Sequence, residues 1–226
     1  MVAYTLIRSK RKTLALYIID GQLEVRAPIK ASKAQIENFI ASKEQWISVK
    51  LAISKDRLEK REAFRLTYGE KILFLGQEYP IIATKEGHCG FDGRAFCISH
   101  SMNSEEIKSA CIQIYRDLAK ASINQLVAQF SEIMGVAPKS VNITEAKTRW
   151  GSCSQKKAIN FSWFLIMAHP EVVEYVVVHE LAHIKEMNHS KNFWAIVKGI
   201  LPDYNERKAR LKELQKRLAS ENWYSN

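Results

Sequence analysis

The stretch HELAHIKEMNHS, residues 179–190, constrains this chain more than any other part of it. It closes a segment from Pro170 to Asn188 that is apolar on nearly every side and too long for one ordinary strand. The segment therefore reads as a helix over about 171–187 buried in a core, although the β-branched run EVVEYVVVH locally favours a strand. On a helix, residues four apart lie about 40° apart around the axis and ~6 Å along it, so His179 and His183 aim their imidazoles at one point. Glu180 falls beside them. Two neutral nitrogen donors with an adjacent carboxylate suit a zinc ion, which accepts imidazole, is redox-inert and lowers the pKa of bound water to ~7. A surface pair of histidines is the alternative. The apolar flanks argue against it, because buried imidazoles need partners to offset their desolvation.

A catalytic zinc takes a third protein ligand and leaves the fourth position for water. His189 lies six residues after His183, too far round to continue the same helical face. The chain has to leave the helix and turn back, and Asn188, a residue that tolerates the left-handed conformation, is the expected pivot. Zinc proteases with a long metal helix and this ligand spacing carry glycine three residues after the second histidine. Here that position is Glu186, and no Met-turn follows, which separates this chain from that group. Glu206, on a later helix, is the rival third ligand.

The rest of the chain predicts an α+β fold. AYTLIRS, TLALYIID and QLEVRAP read as a small strand meander with a hairpin at Asp20-Gly21. Ser32 with Gln35 forms a capping-box pattern ahead of one long helix over 33–60. Strand chemistry returns in RLTYGEKILFLGQEYPIIATKEG and GRAFCIS, with glycine turns. Asn103 with Glu106 starts a long amphipathic helix that Gly135 stops. SVNITEA and AINFSWFLI are expected strands, and KTRWGSCSQKK the loop or hairpin end between them. Pro170 suits a first helical position, and Ser190 and Asp203 are expected caps for two last helices. The expected organisation is a basic β-rich N-terminal region over 1–100, with its long helix, and a core over 101–226.

Charge is unevenly spread. Of the formal +10, residues 1–66 hold 14 Lys and Arg against 7 Asp and Glu. A basic surface steers anionic partners such as nucleic acid or nucleotides, and its plainer reading is a solvated face. Cys89, Cys97, Cys111 and Cys153 form no C-x-x-C pair and no disulfide framework, so reduced thiols are expected. No apolar run of signal-peptide or membrane-spanning length occurs, so the expectation is a cytoplasmic protein with no membrane partner.

TRWGSCSQKKAINFSWFLIMAHPEVVEYVVVHELAHIKEMNHSKNFW, with the basic β-rich start and KEQWI, resembles the YgjP-like family of zinc metallohydrolases, related in its core to SprT-like and WLM peptidase domains. The resemblance spans nearly the whole chain and is strongest from Arg149 to Trp194. It implies a zincin-like core with an HExxH active-site helix, His179, His183 and His189 as Zn2+ ligands and Glu180 as catalytic base. The motif itself motivates the leading reading, a zinc-dependent peptidase with a peptide or protein substrate. In zincin folds the edge strand beside the metal helix binds an extended substrate, so 141–149 or 157–164 is expected to line the groove. Arg149 is then a candidate for pairing with an anionic group of the substrate, against the alternative of a structural pair with Glu145 or a carbonyl. Trp150, Trp163 and Trp194 read as core residues. Cys153 reads as an inert thiol, with approach to the metal as the alternative. His88, His100 and His169 receive no role, and Tyr175 and Tyr204 stay available for oxyanion stabilisation. Two other functions remain open: a zinc hydrolase of phosphorylated substrates such as nucleotides, and a nucleic-acid-binding module with structural zinc.

Overall fold

The structure is a computed structural model and describes residues 2–85, 87 and 89–223. The chain divides into two compact units, residues 1–64 with 218–222 and residues 65–217 with 223–226. The divide expected at residue 100 falls inside the second unit.

In the first unit, β1 (Tyr4–Ser9), β2 (Ala15–Ile19) and β3 (Gln22–Pro28) form a sheet in the order β1-β3-β2. The hairpin at Asp20-Gly21 is present. Both residues have positive φ (47° and 76°), the twist that suits a two-residue turn. The expected meander is not, because β1 pairs parallel to β3. The reason lies in β3, where Leu23, Val25 and Ala27 alternate on one buried face, making it the natural central strand. Ser32 and Gln35 form the expected capping box. The single helix expected over 33–60 is two, α1 (Lys33–Ala41) and α2 (Glu44–Ala63). The break falls where the Ser42 hydroxyl donates back to the Phe39 carbonyl, a local bond that competes with helix continuation. Ile36, Ile40 and Ile47 complete this unit's core against β3.

In the second unit, β4 (Lys71–Phe74), β5 (Gln77–Thr84), β6 (Gly90–Phe91) and β7 (Phe96–Ser99) form a sheet in the order β4-β5-β7-β6. It packs on α3 (Ser104–Met134), which starts at the expected Asn103–Glu106 capping box and stops at a left-handed Gly135. Packing on α3 is what gathers these strands with the second unit. Tyr115 of α3, fully buried, donates its hydroxyl to the Leu73 carbonyl at 2.7 Å. Around it lie Phe96, Trp163 and Trp223, with ring centroids 5.1–5.6 Å away.

A second sheet holds β8 (Ser140–Thr144), β9 (Gly151–Cys153) and β10 (Ala158–Ser162) in the order β8-β10-β9, with β10 parallel to β8 and antiparallel to β9. The strand expected through Ile166 ends at Ser162, and Trp163–Met167 form a buried 3-10 turn. Then come α4 (Pro170–Ala182), α5 (Lys191–Ile200) and α6 (Tyr204–Leu218).

Candidate metal centre

Helix α4 carries the site. Its EVVEYVVVH run is helical in spite of its β-branched residues, because most of its length is buried: Val172, Val173, Tyr175, Val176, Val177, Val178, Glu180, Leu181 and Ala182 are all inside. Tertiary burial overrides the small intrinsic penalty of valine in a helix. Arg207 of α6 anchors the start of α4, donating to the Glu171 carbonyl at 2.9 Å and to Glu174 at 2.7 Å while its Nε holds Asp203 at 2.9 Å.

The helix ends at Ala182, earlier than expected, with His183 as its C-cap. Tight bonds from the Ile184 and Lys185 amides to the Leu181 and Ala182 carbonyls, both 3.0 Å, wind the last turn closed. Asn188 is not the pivot, since it is absent from the described non-glycine residues with positive φ. The reversal rests instead on these tightened bonds and on His183, whose Nδ1 donates to the Glu186 carbonyl at 3.1 Å. Ser190 then caps α5 through the Phe193 amide.

The turn brings His189 back to α4. Among the described residues, His179, His183 and His189 form a group whose ligand atoms all lie within 4.8 Å of one another. The Nε2 atoms of His179 and His189 are 3.0 Å apart. Two nitrogens bound tetrahedrally at ~2.0–2.1 Å would stand ~3.3 Å apart, so the pair is spaced for a shared ion. Because a carbonyl only accepts, His183 carries its proton on Nδ1 and presents a bare Nε2, the arrangement by which an outer partner orients a metal-binding imidazole. Burial, then the neighbouring His183, His189 and Lys208, pushes the pKa of His179 down to about 3. Burial likewise lowers that of His183. Neutral imidazoles are the ligating form, and the buried Nδ1 of His179 has no hydrogen-bond partner among the described residues. The donor set fits a metal ion.

Aromatic packing holds the cluster. Phe193, fully buried, lies 4.5–4.9 Å from all three imidazoles by ring centroid. Trp194 stacks on His189 at 5.7 Å and, at 5.3 Å, on Tyr204, with Lys208 over its ring. Trp163 is core as expected, but Trp194 is half-buried and belongs to the site. Phe193 went unread in the sequence. Its only signal was its place four residues after His189.

Glu180 follows His179 on α4 and is 5% exposed, and its Oε2 makes no hydrogen bond among the described residues. Burial pushes its pKa up to about 8, against an opposing pull from Arg149. Strand β9 runs against it: a Cβ built on Gly151 would stand 2.6 Å from the Glu180 Cγ and Oε1. The RWGSC segment, expected in a loop or hairpin end, supplies the first strand of a hairpin, β9, which pairs antiparallel to β10. In this sheet β10 is central and carries neighbours on both sides, so 157–164 is not an edge. The edge beside α4 is β9.

Arg149 lines a groove of about 360 Å³ together with Thr144, Ala146, Gly151, Ser152, Asn160 and Ser162. Its expected alternative partner Glu145 pairs with Arg116, and Arg149 makes no hydrogen bond or ion pair among the described residues. Glu206 is exposed and outside the histidine group. Cys153 is half-buried, its thiol pKa raised by burial and by Glu180, and it too stands outside that group. Burial pushes the Tyr175 pKa up to about 12, keeping its hydroxyl protonated. His100 and His169 also lie outside the group, and His88 is outside the described residues. In the N-terminal unit part of the basic charge is engaged internally: Arg8 donates to the carbonyls of Pro28, Ile29 and Ala31, and Arg26 pairs with Glu24. Among the described residues no helix is long and apolar enough to cross a membrane.

Three imidazoles able to hold an ion, with a buried carboxylate next to them on one helix, are the equipment of a metal-dependent hydrolase. The chain belongs to the YgjP-like family, whose metallopeptidase domain it matches over residues 12–214. Solved structures similar to part of it include the metallopeptidase zymogen abylysin of Pyrococcus abyssi, 25% identical, covering 40% of this chain and 92% of that one with a TM-score of 0.38. The metallopeptidase zymogen jannalysin of Methanocaldococcus jannaschii is 20% identical, covering 40% and 94% with a TM-score of 0.37. No curated protein matches the chain.

Proposed function

We propose that this protein is a zinc-dependent peptidase with a zincin-like core, in which His179, His183 and His189 hold the ion and Glu180 is the general base. The observation that carries this reading is the convergence of the three histidines beside a buried carboxylate with an oxygen unpartnered among the described residues, in a chain of a metallopeptidase family. Bound zinc supplies a Lewis acid that acidifies water and polarises a carbonyl.

The protein's own groups do the rest. Glu180 takes a proton from the attacking water and delivers it to the leaving amine. Its Oε2 has no competing partner among the described residues. The outer edge of β9 is unpaired among the described residues, so an extended peptide adds to it by backbone hydrogen bonds and runs along the groove at Arg149.

The test is a mass-spectrometric product screen of zinc-loaded protein against Glu180→Gln, offered unfolded proteins, peptides and nucleoside triphosphates. Peptide fragments that depend on Glu180 support the reading. Glu180-dependent release of phosphate or pyrophosphate replaces it with a hydrolase of phosphorylated substrates, and no Glu180-dependent product sinks it.

A further inference from the structure

We infer that Gly151 is a positioning residue for Glu180: β9 passes so close to the carboxylate that only a hydrogen fits between them, and this contact aims the base. The inference rests on the reading of Glu180 as general base.

Glycine at 151 has no conformational explanation. Five of the nine glycines have positive φ, and Gly151 is not among them. Its strand pairs in ordinary antiparallel register, Gly151 opposite Phe161, and continues into Ser152 and Cys153, which carry side chains. A glycine inside a strand weakens it, so propensity alone favours any other residue there. What forbids a side chain is Glu180. A Cβ at 151 would stand 2.6 Å from its Cγ, 2.6 Å from Oε1 and 2.8 Å from Cδ. Every other glycine keeps at least 3.1 Å of room at the same point.

The contact has consequences because hydrogen bonding leaves part of the carboxylate unrestrained. Oε2 is buried with no partner among the described residues, so packing has to set its direction. The neighbour pressed against the carboxylate is the backbone of β9, which the β10 ladder holds in place. Adding a methyl at 151 meets the far end of one side chain rather than another backbone. The fold can survive by rotating Glu180 away from its place beside the histidines.

Gly151→Ala should therefore remain folded and bind zinc normally while losing catalysis. In the zinc-loaded variant we expect zinc stoichiometry as in the wild type, KM within about threefold, and kcat at least ~100-fold lower, the scale on which a misplaced catalytic group loses rate. The contact itself is read without activity, by thermal unfolding of the metal-free protein in a double-mutant cycle with Glu180→Ala. Gly151→Ala should lower the midpoint when Glu180 is present and leave it unchanged in the Glu180→Ala background. If Gly151→Ala fails to fold, the Gly151→Ala/Glu180→Ala protein should fold as Glu180→Ala does. A wild-type kcat in folded, zinc-loaded Gly151→Ala overturns the inference, as does an equal midpoint loss in both backgrounds. If the wild-type protein cleaves no peptide in a Glu180-dependent way, the proposed function fails, and the cycle still decides whether the contact exists.

Discussion

Replacing Glu180 by glutamine in the metal-free protein should remove a pH-dependent destabilisation that the fold carries at neutrality. The Glu180 carboxyl is 5% exposed, and burial pushes its pKa from the usual 4.5 to about 8, with Arg149 opposing. In the unfolded chain the carboxyl releases its proton near pH 4.5, whereas in the folded protein it keeps it until about pH 8. Between those values the folded state binds more protons, so stability falls as pH rises. The loss is about 1.4 kcal/mol per pH unit, reaches about 3 kcal/mol at pH 7 and levels off at about 5 kcal/mol above pH 8. Glutamine does not titrate. Its buried amide adds a constant offset of about 1–2 kcal/mol, so the slope rather than the level carries the test. His179, with its pKa pushed down to about 3 chiefly by burial, destabilises the fold as pH drops below 6.5, but does so in both proteins and cancels in the difference. Urea unfolding followed by circular dichroism from pH 5 to 9, after chelation, measures it. The variant's advantage should grow steadily to pH 8. A difference that stays flat within about 0.5 kcal/mol would mean that the carboxylate is hydrated in the folded state, and the burial argument would be wrong.

Two further substitutions separate the site from its support. His189→Ala should weaken metal affinity by more than the ~10–100-fold typical of losing an outer-shell partner, whereas Glu206→Ala should leave it unchanged, as competition with a chromophoric chelator will show. Tyr115→Phe, which deletes the buried bond to the Leu73 carbonyl, should lower stability by about 1–2 kcal/mol in urea unfolding, with metal affinity unaltered.

The sequence by itself determined the parts that depend on neighbours along the chain. The Ser32 and Asn103 capping boxes, the Asp20-Gly21 hairpin, the stop at Gly135 and the Pro170 start are local rules of hydrogen bonding and φ, and all stand in the structure. The juxtaposition of His179, Glu180 and His183 is likewise local, because helical pitch sets it. His189 could be nominated from spacing, but the residue that turns the chain could not: Asn188 had the right propensity, yet the turn is closed by the Leu181 and Ala182 carbonyls and by the bond from His183 to the Glu186 carbonyl. Tertiary structure alone decided the parallel pairing of β1 with β3, the choice of β9 rather than 157–164 as the edge beside α4, and the place of Trp194 against His189. Strand order and edges depend on which faces are buried against distant elements, and no short window of sequence contains that information. Gly151 shows the limit most clearly. Its backbone is unexceptional, and its reason for being glycine is a carboxylate 29 positions further along the chain, brought within 2.6 Å of where a Cβ would stand only when α4 packs against β9.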